Sequence, residues 1–468
     1  MLIAILTNEN TPHIFLKEQN MKLKNYIYLM LCLVITIFSS MLFVGCFFIQ
    51  KSLHYILDSD LTLEQGKAIV VDGADKEAVL DLNGYCIRSS GSVAIQVING
   101  ARLTIIDSNK NTTHYLMYDE NTHAYSQYSK TRPEGAVEIQ DGHIPTNKVN
   151  SFITVHGGVV TGVNNNIYGG AIIVGCVEGY TGQASFLEMQ GGTVIGNSSS
   201  GYGGGVFLGP NAEFVLNGGN IVGNYSSSYG GGISAEAKTN INLKSGKIAY
   251  NAADISGGAV YLRGNEYVKA TNLTIADSIQ IVYNQAKCGG GIGGIVSTVT
   301  MQGGLVQGNS AYEGGGFDLY SSCLTLSNGK IIENSAEKNG GGIVFAATEE
   351  QWTHTDENNN VEVGLHLFNI NGGQVEKNTA DEGGGVYLSK VIFASTQEMQ
   401  ENIQNKNTSV QGNGLAIGTQ VEIREAIKIK TSMQKNYTTL FIWLGLSIGI
   451  AFIAIIIGLV VYFLKAKR

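Results

Sequence analysis

Proline is scarce in this chain, at 4 of 468 residues, and cysteine is scarce too, at 6. Glycine is abundant at 61 residues, but collagen needs glycine at every third position together with plentiful proline, and so is excluded. Four cysteines, Cys86, Cys176, Cys288 and Cys323, lie between two apolar ends. Their spacing suits neither a zinc site nor a dense disulfide framework, so buried or free thiols are expected. Charged residues make up 15% and the net charge is −8, which offers no basic surface to nucleic acid. Each glycine cluster leads into a strand-like segment and not a helix, which excludes a nucleotide-phosphate loop. His114 and His123 share one stretch without ordered Cys or carboxylates, and "DENNN" (356–360) lacks the glycine and closing Glu of a calcium loop. No cofactor and no metal are expected.

Both ends are apolar. Residues 26–49 follow Lys22 and Lys24, the pattern of a secretion signal or an uncleaved signal anchor. Met21 is a plausible true start, and "FVGC" (43–46) faintly resembles a lipoprotein cleavage box ending at Cys46. Residues 440–464 carry no charge and precede "KAKR" (465–468), which predicts a membrane span with a cytoplasmic tail. The expected location is the cell membrane, single-pass, with the intervening region outside.

That region repeats. "GGTVIGN" (191–197) returns as "GGNIVGN" (218–224), "SGKIAYN" (245–251), "GGLVQGN" (303–309), "NGKIIEN" (328–334) and "GGQVEKN" (372–378), with a degenerate copy at 277–284 and a first one at 157–164. Each copy is followed by "GGAI", "GGGV", "GGGI", "GGAV" or "GGGF", giving eight repeats spaced 25 to 27 residues apart where nothing intervenes. Apolar pairs alternate before the first glycines: Ile153 and Val155, Leu187 and Met189, Phe214 and Leu216, Ile241 and Leu243, and so on to Phe368 and Ile370. Period two means strand. Another apolar residue follows each glycine pair, and the second phrase supplies a further short strand such as "VFLG" (206–209). Three short strands per repeat with glycine corners predict an all-β fold, one coil of a parallel β-solenoid per repeat. In that coil "SSSGY" (198–202) reads as an outward turn. Asn197, Asn224, Asn251, Asn284, Asn309, Asn334 and Asn378 should stack into a ladder.

The organisation follows. Residues 1–50 hold an extension and the signal or anchor. Residues 51–156 hold irregular β coils, expected to protect the first edge, with a polar Tyr-rich insertion at 109–150. Residues 157–390 are the eight-repeat β-helix, 391–439 a last irregular coil and stalk, 440–464 the membrane helix, and 465–468 the basic tail.

"GGAI" (169–172) and "GGAV" (257–260) resemble the GGA[ILV] signature of the chlamydial polymorphic outer-membrane proteins, and "FVLN" (214–217) and "FNIN" (368–371) their FxxN signature. The chain is also similar to bacterial surface proteins with right-handed parallel β-helix repeats. The resemblance covers about residues 80–390. It implies a right-handed helix and an adhesin-like role. The chlamydial proteins end in a β-barrel, whereas this chain ends in one apolar segment, so autotransport does not carry over. No LPxTG sequence precedes that segment.

Three functions compete: a non-enzymatic adhesin-like module, a carbohydrate-active β-helix enzyme, and a structural spacer of the cell envelope. An enzyme needs carboxylates gathered from coils in register. The position before the second glycine phrase holds Tyr168, Tyr202, Tyr229, Ser256, Cys288, Glu313, Asn339 and Glu382, with no carboxylate pair, and Asp318, Glu333 and Glu376 occupy other positions. No catalytic residue is assigned. Tyr168, Tyr202 and Tyr229 fall at equivalent sites of consecutive coils, which suits a packed aromatic stack or a platform for sugar rings or a protein. Loops on a rigid scaffold are the other candidates: the insertion with Tyr115, Tyr118, Tyr125 and Tyr128, and the segment 346–362 with Trp352. Expected partners are the membrane and glycans or proteins on host or neighbouring cells.

Overall fold

Backbone amides of each repeat donate to carbonyls of the next, in parallel register, along the whole repetitive region. The computed structural model describes residues 53–425, apart from 91–92, 140–147, 165, 176–182, 266–270, 348–350 and 356–360. Both apolar end segments, the 465–468 tail, Cys46 and Cys176 lie outside the described residues. Within them, no helix is long and apolar enough to cross a membrane.

The chain forms a parallel β-solenoid with three sheets as its faces, of 17, 9 and 11 strands. The 11-stranded sheet takes one strand from every coil, from Ile69–Asp72 to Leu415–Ile417, so eleven coils stack. Each coil begins on the 17-stranded face with a strand bent at its glycines, as in Glu213–Val222. The alternation seen in sequence places one column, Leu187, Phe214, Ile241, Leu273, Val299, Leu324, Phe368 and Phe393, directly over one another. All are buried, in a continuous core with the inward residues of the other half-strand and of the 11-stranded face. Like sits on like at the strand spacing of about 4.8 Å.

Two expectations change. "SSSGY" is a strand, Ser198–Tyr202, of the nine-stranded face, and not a turn. This face reads as polar because its buried positions hold small residues, Ser226, Ala253, Ala286, Ala311, Ala336 and Ala380. Ile153 and Val155 do not open the first repeat of the wall. They lie on Ser151–His156, in a separate four-stranded sheet, and Leu103 and Ile105 stand beneath Leu187 and Met189 instead. The coil leaves the wall after Ile106 and returns at Val159, so the excursion is longer than 109–150. As expected, the N-terminal coils cover the first edge of the repeats: Cys86–Ser89, Ile95–Ile98 and Arg102–Ile106 pair in parallel with Val159–Thr161, Ile172–Val174 and Phe186–Met189.

At a corner of each coil stands the asparagine ladder. The Asn224 side-chain oxygen accepts from both the backbone N and Nδ2 of Asn197, each at 3.0 Å. Asn224 Nδ2 donates onward to Asn251 Oδ1 at 3.0 Å and back to the Val194 carbonyl at 3.0 Å. The same pattern passes through Asn251, Asn284, Asn309, Asn334 and Asn378, all buried. Every amide group is thus satisfied in the dry interior, where an unmet polar group costs most. Asn407, not anticipated, closes the ladder. It accepts from Asn378 at 2.9 Å and is the C-cap of α1 (Gln397–Lys406), a helix that replaces a half-strand in the last complete coil.

The glycine triplet beside the ladder answers two separate needs. Gly203 has φ +68°, a conformation costly for other residues. A Cβ on Gly204 would land on the carbonyl oxygens of Tyr225 and Gly231 in the next coil.

Candidate functional site: the groove beneath the insertion

The insertion is a folded unit. Strands Thr113–Asp119, Ala124–Ser129, Val137–Glu138 and Ser151–His156 form its sheet. Its inner face shares a second apolar core with outward residues of the wall: Leu116, Tyr125, Ile153 and Val155 meet Cys86, Val159, Ile195 and Val222. The Tyr125 amide donates to the Gly223 carbonyl at 3.1 Å. A Cβ on Gly196 or Gly223 would strike Tyr125, so these two glycines give the insertion its seat.

Most of its tyrosines are spent on packing. Tyr125 is 3% exposed, the Tyr128 hydroxyl is 2.9 Å from His114 Nδ1, and Tyr115 meets Phe152 edge-on at 6.0 Å. Tyr118 differs. It lines a groove of about 590 Å³ where the insertion overhangs the nine-stranded face. At this end stand Tyr118, His123, Lys148 and Tyr225. The floor runs across successive coils through Ala253, Ala286, Ala311 and Ala336, with Tyr312 beside it. His123, at the hairpin turn with φ +52°, sets its ring 5.1 Å from that of Tyr225. The Tyr225 hydroxyl donates to Asp254 at 2.7 Å. Lys148 Nζ lies 5.8 Å from the Tyr118 ring centroid. Burial lowers the Lys148 pKa.

The tyrosine column takes the register expected of it: Tyr168 pairs with Tyr202, and Tyr202 with Tyr229. Their rings stack at 5.6 and 5.5 Å, with interplanar angles of 8° and 16°. Tyr261 closes on Tyr229 at 4.5 Å, and Phe207 packs beside Tyr168 at 5.3 Å. Arg263 reaches the Tyr202 hydroxyl at 3.4 Å and pairs with Glu236 at 3.5 Å. The ring faces are therefore turned mainly on one another, and none of the three tyrosines lines the groove. Trp352 sits on a hairpin strand, Gln351–Thr355, opposite Gly364. Its side chain lies outside the described residues.

A carboxylate pair does exist, across two columns of one coil. Asp318 is 8% exposed and its Oδ1 has no hydrogen-bond partner. Burial, with the nearby Glu313 charge adding to it, pushes its carboxyl up to about 7, while a hydrogen bond with the Cys288 thiol acts the other way. Glu313 is anchored by Lys338 at 3.1 Å and Asn339 at 2.9 Å. Comparing one repeat position at a time misses this pair, because the glycine corner folds position 313 against position 318. Cys86 and Cys288 carry free thiols. Among the described residues, no three His, Cys, Asp or Glu side chains converge as metal ligands. No family model, curated protein or solved structure matches the chain.

Proposed function

We propose that the chain is a membrane-anchored cell-surface protein whose ectodomain, a right-handed β-helix, is a non-enzymatic, adhesin-like interaction module. The groove beneath the insertion carries this reading. It breaks the repeat, it brings aromatic and charged side chains from two elements together, and the solenoid holds it rigid. The resemblance to the chlamydial surface repeats and the two apolar ends support the same reading. The test is to display the full chain on a non-adherent bacterium and measure retention on cell layers and matrix. Retention that is lost on deleting 109–150 supports the module. No retention at all favours a structural spacer.

A carbohydrate-active enzyme is the second reading, favoured by the raised carboxyl of Asp318 beside Glu313. It predicts new reducing ends from a polysaccharide panel, and their loss in Asp318→Asn.

A further inference from the structure

The groove has a chemical bias that the interaction-module reading leaves open. Its end under the insertion is rimmed by the Tyr118, Tyr225 and His123 rings, and farther along stands Tyr312, 42% exposed. Aromatic faces and edges beside polar groups suit the apolar faces and hydroxyls of a sugar. The floor is built of alanine and serine, so the backbone of the wall is approachable along several coils. One coil advances about 4.8 Å, close to the length of one pyranose ring, so a linear chain lying along the axis meets equivalent positions with successive sugars.

Lys148 adds charge. Its ammonium lies 5.8 Å from the Tyr118 ring centroid, and the residue is half-buried. Among the described residues no carboxylate stands as its ion-pair partner. Asp254, the acidic group on this rim, is engaged by the Tyr225 hydroxyl. Lys287 follows Ala286 in the coil above, and Glu337 stands at the far end. A partly buried cation without a counter-ion favours an anionic ligand group, which would form a charge-assisted hydrogen bond there.

Resting on the interaction-module reading, we infer that the groove binds a linear acidic glycan. One uronate-type carboxylate meets Lys148, and neighbouring sugars lie against Tyr118, Tyr225 and Tyr312.

The test uses the full chain in mild detergent and isothermal titration with two probes, oligogalacturonate and a hyaluronan octasaccharide, each beside its carboxyl-reduced, neutral counterpart. Acidic probes should bind more tightly than neutral ones. Lys148→Met should weaken acidic binding about tenfold and leave the residual neutral binding unchanged, since one charge-assisted hydrogen bond is lost. Lys148→Arg should restore it. Tyr225→Ala should weaken both, with the urea midpoint measured to show that the fold persists. Equal affinity for acidic and neutral probes, unchanged binding in Lys148→Met, or no binding of either acidic probe would overturn the inference. Adhesion that survives Lys148→Met but is lost with the insertion would sink this inference and leave the interaction module standing; occupancy of the groove by a peptide and not a glycan would do the same. Acidic-glycan binding without cell retention would do the reverse.

Discussion

Asp107 and Gly158 are hydrogen-bonded across 51 residues: the Gly158 amide donates to Asp107 Oδ2 at 2.9 Å. Oδ1 of the same carboxylate accepts from the Gly84 amide at 2.7 Å. One side chain thus ties the start of the insertion to its end and to the coil below. Asp107→Ala leaves two buried amides without acceptors, at about 1–3 kcal/mol each. The expected outcome is a lower urea midpoint and faster protease cleavage within 109–150. Cleavage at the parental rate would show that the insertion is held by its apolar core alone.

The asparagine ladder predicts a large penalty for the loss of an interior rung. Asn284→Ala strips the acceptor from two donors of Asn251 and the donor from the Ile248 carbonyl. The loss should exceed about 3 kcal/mol, whereas the exposed Asn217→Ala should fall within about 0.5 kcal/mol of the parent. Chemical unfolding of both variants measures the difference.

Glycine triplets predict a graded series. Gly204→Ala places a methyl on two carbonyl oxygens of the next coil and should be strongly destabilising. Gly205→Ala should cost less: its methyl would crowd a single carbonyl, that of Gly232 at 2.8 Å, and Ala171 and Ala259 already occupy the equivalent third position. Thermal unfolding of the pair is the check; equal losses would mean that the third position is also closed to a side chain.

Much of this was legible in the residues. Inward columns such as Leu216 and Leu243 announce themselves by period two, and the asparagines by closing the same glycine-led phrase in each repeat. The nine-stranded face was not legible, since Ser226 and Ala253 are buried for their small size and give no apolar signal. Nor was the membership of Ile153, which alternates like a wall residue and precedes a glycine pair. Only its antiparallel pairing with Leu116 in space separates it from Leu103, which pairs in parallel with Leu187. The groove was legible only as a location, the insertion. Which tyrosine lines it depended on docking: Tyr125 turns inward and Tyr118 stays at the rim.

Asp318 predicts a pH dependence of defined sign. Its carboxyl titrates near 7 in the folded chain against 3.8 ordinarily. Below about 4 the group is protonated in both states and costs nothing. As pH rises from there to 7, the unfolded chain ionises while the folded one holds its proton, so stability falls. Above 7 the full cost remains, about 4 kcal/mol for three pKa units. Asp318→Asn should match the parent near pH 4 and exceed it at pH 8, read as urea midpoints. Parallel curves for the two proteins would place the carboxylate in a solvated or compensated environment.

The groove itself is most directly tested by filling it. Ser310 lies on its floor and is half-buried, so Ser310→Trp adds bulk there without entering the core. Lys244→Trp puts the same side chain on the exposed surface of another face. In the adhesion assay with surface-displayed full chain, Ser310→Trp should abolish retention and Lys244→Trp should leave it at the parental level. Parental retention by Ser310→Trp, at equal display, would contradict the groove as the binding site.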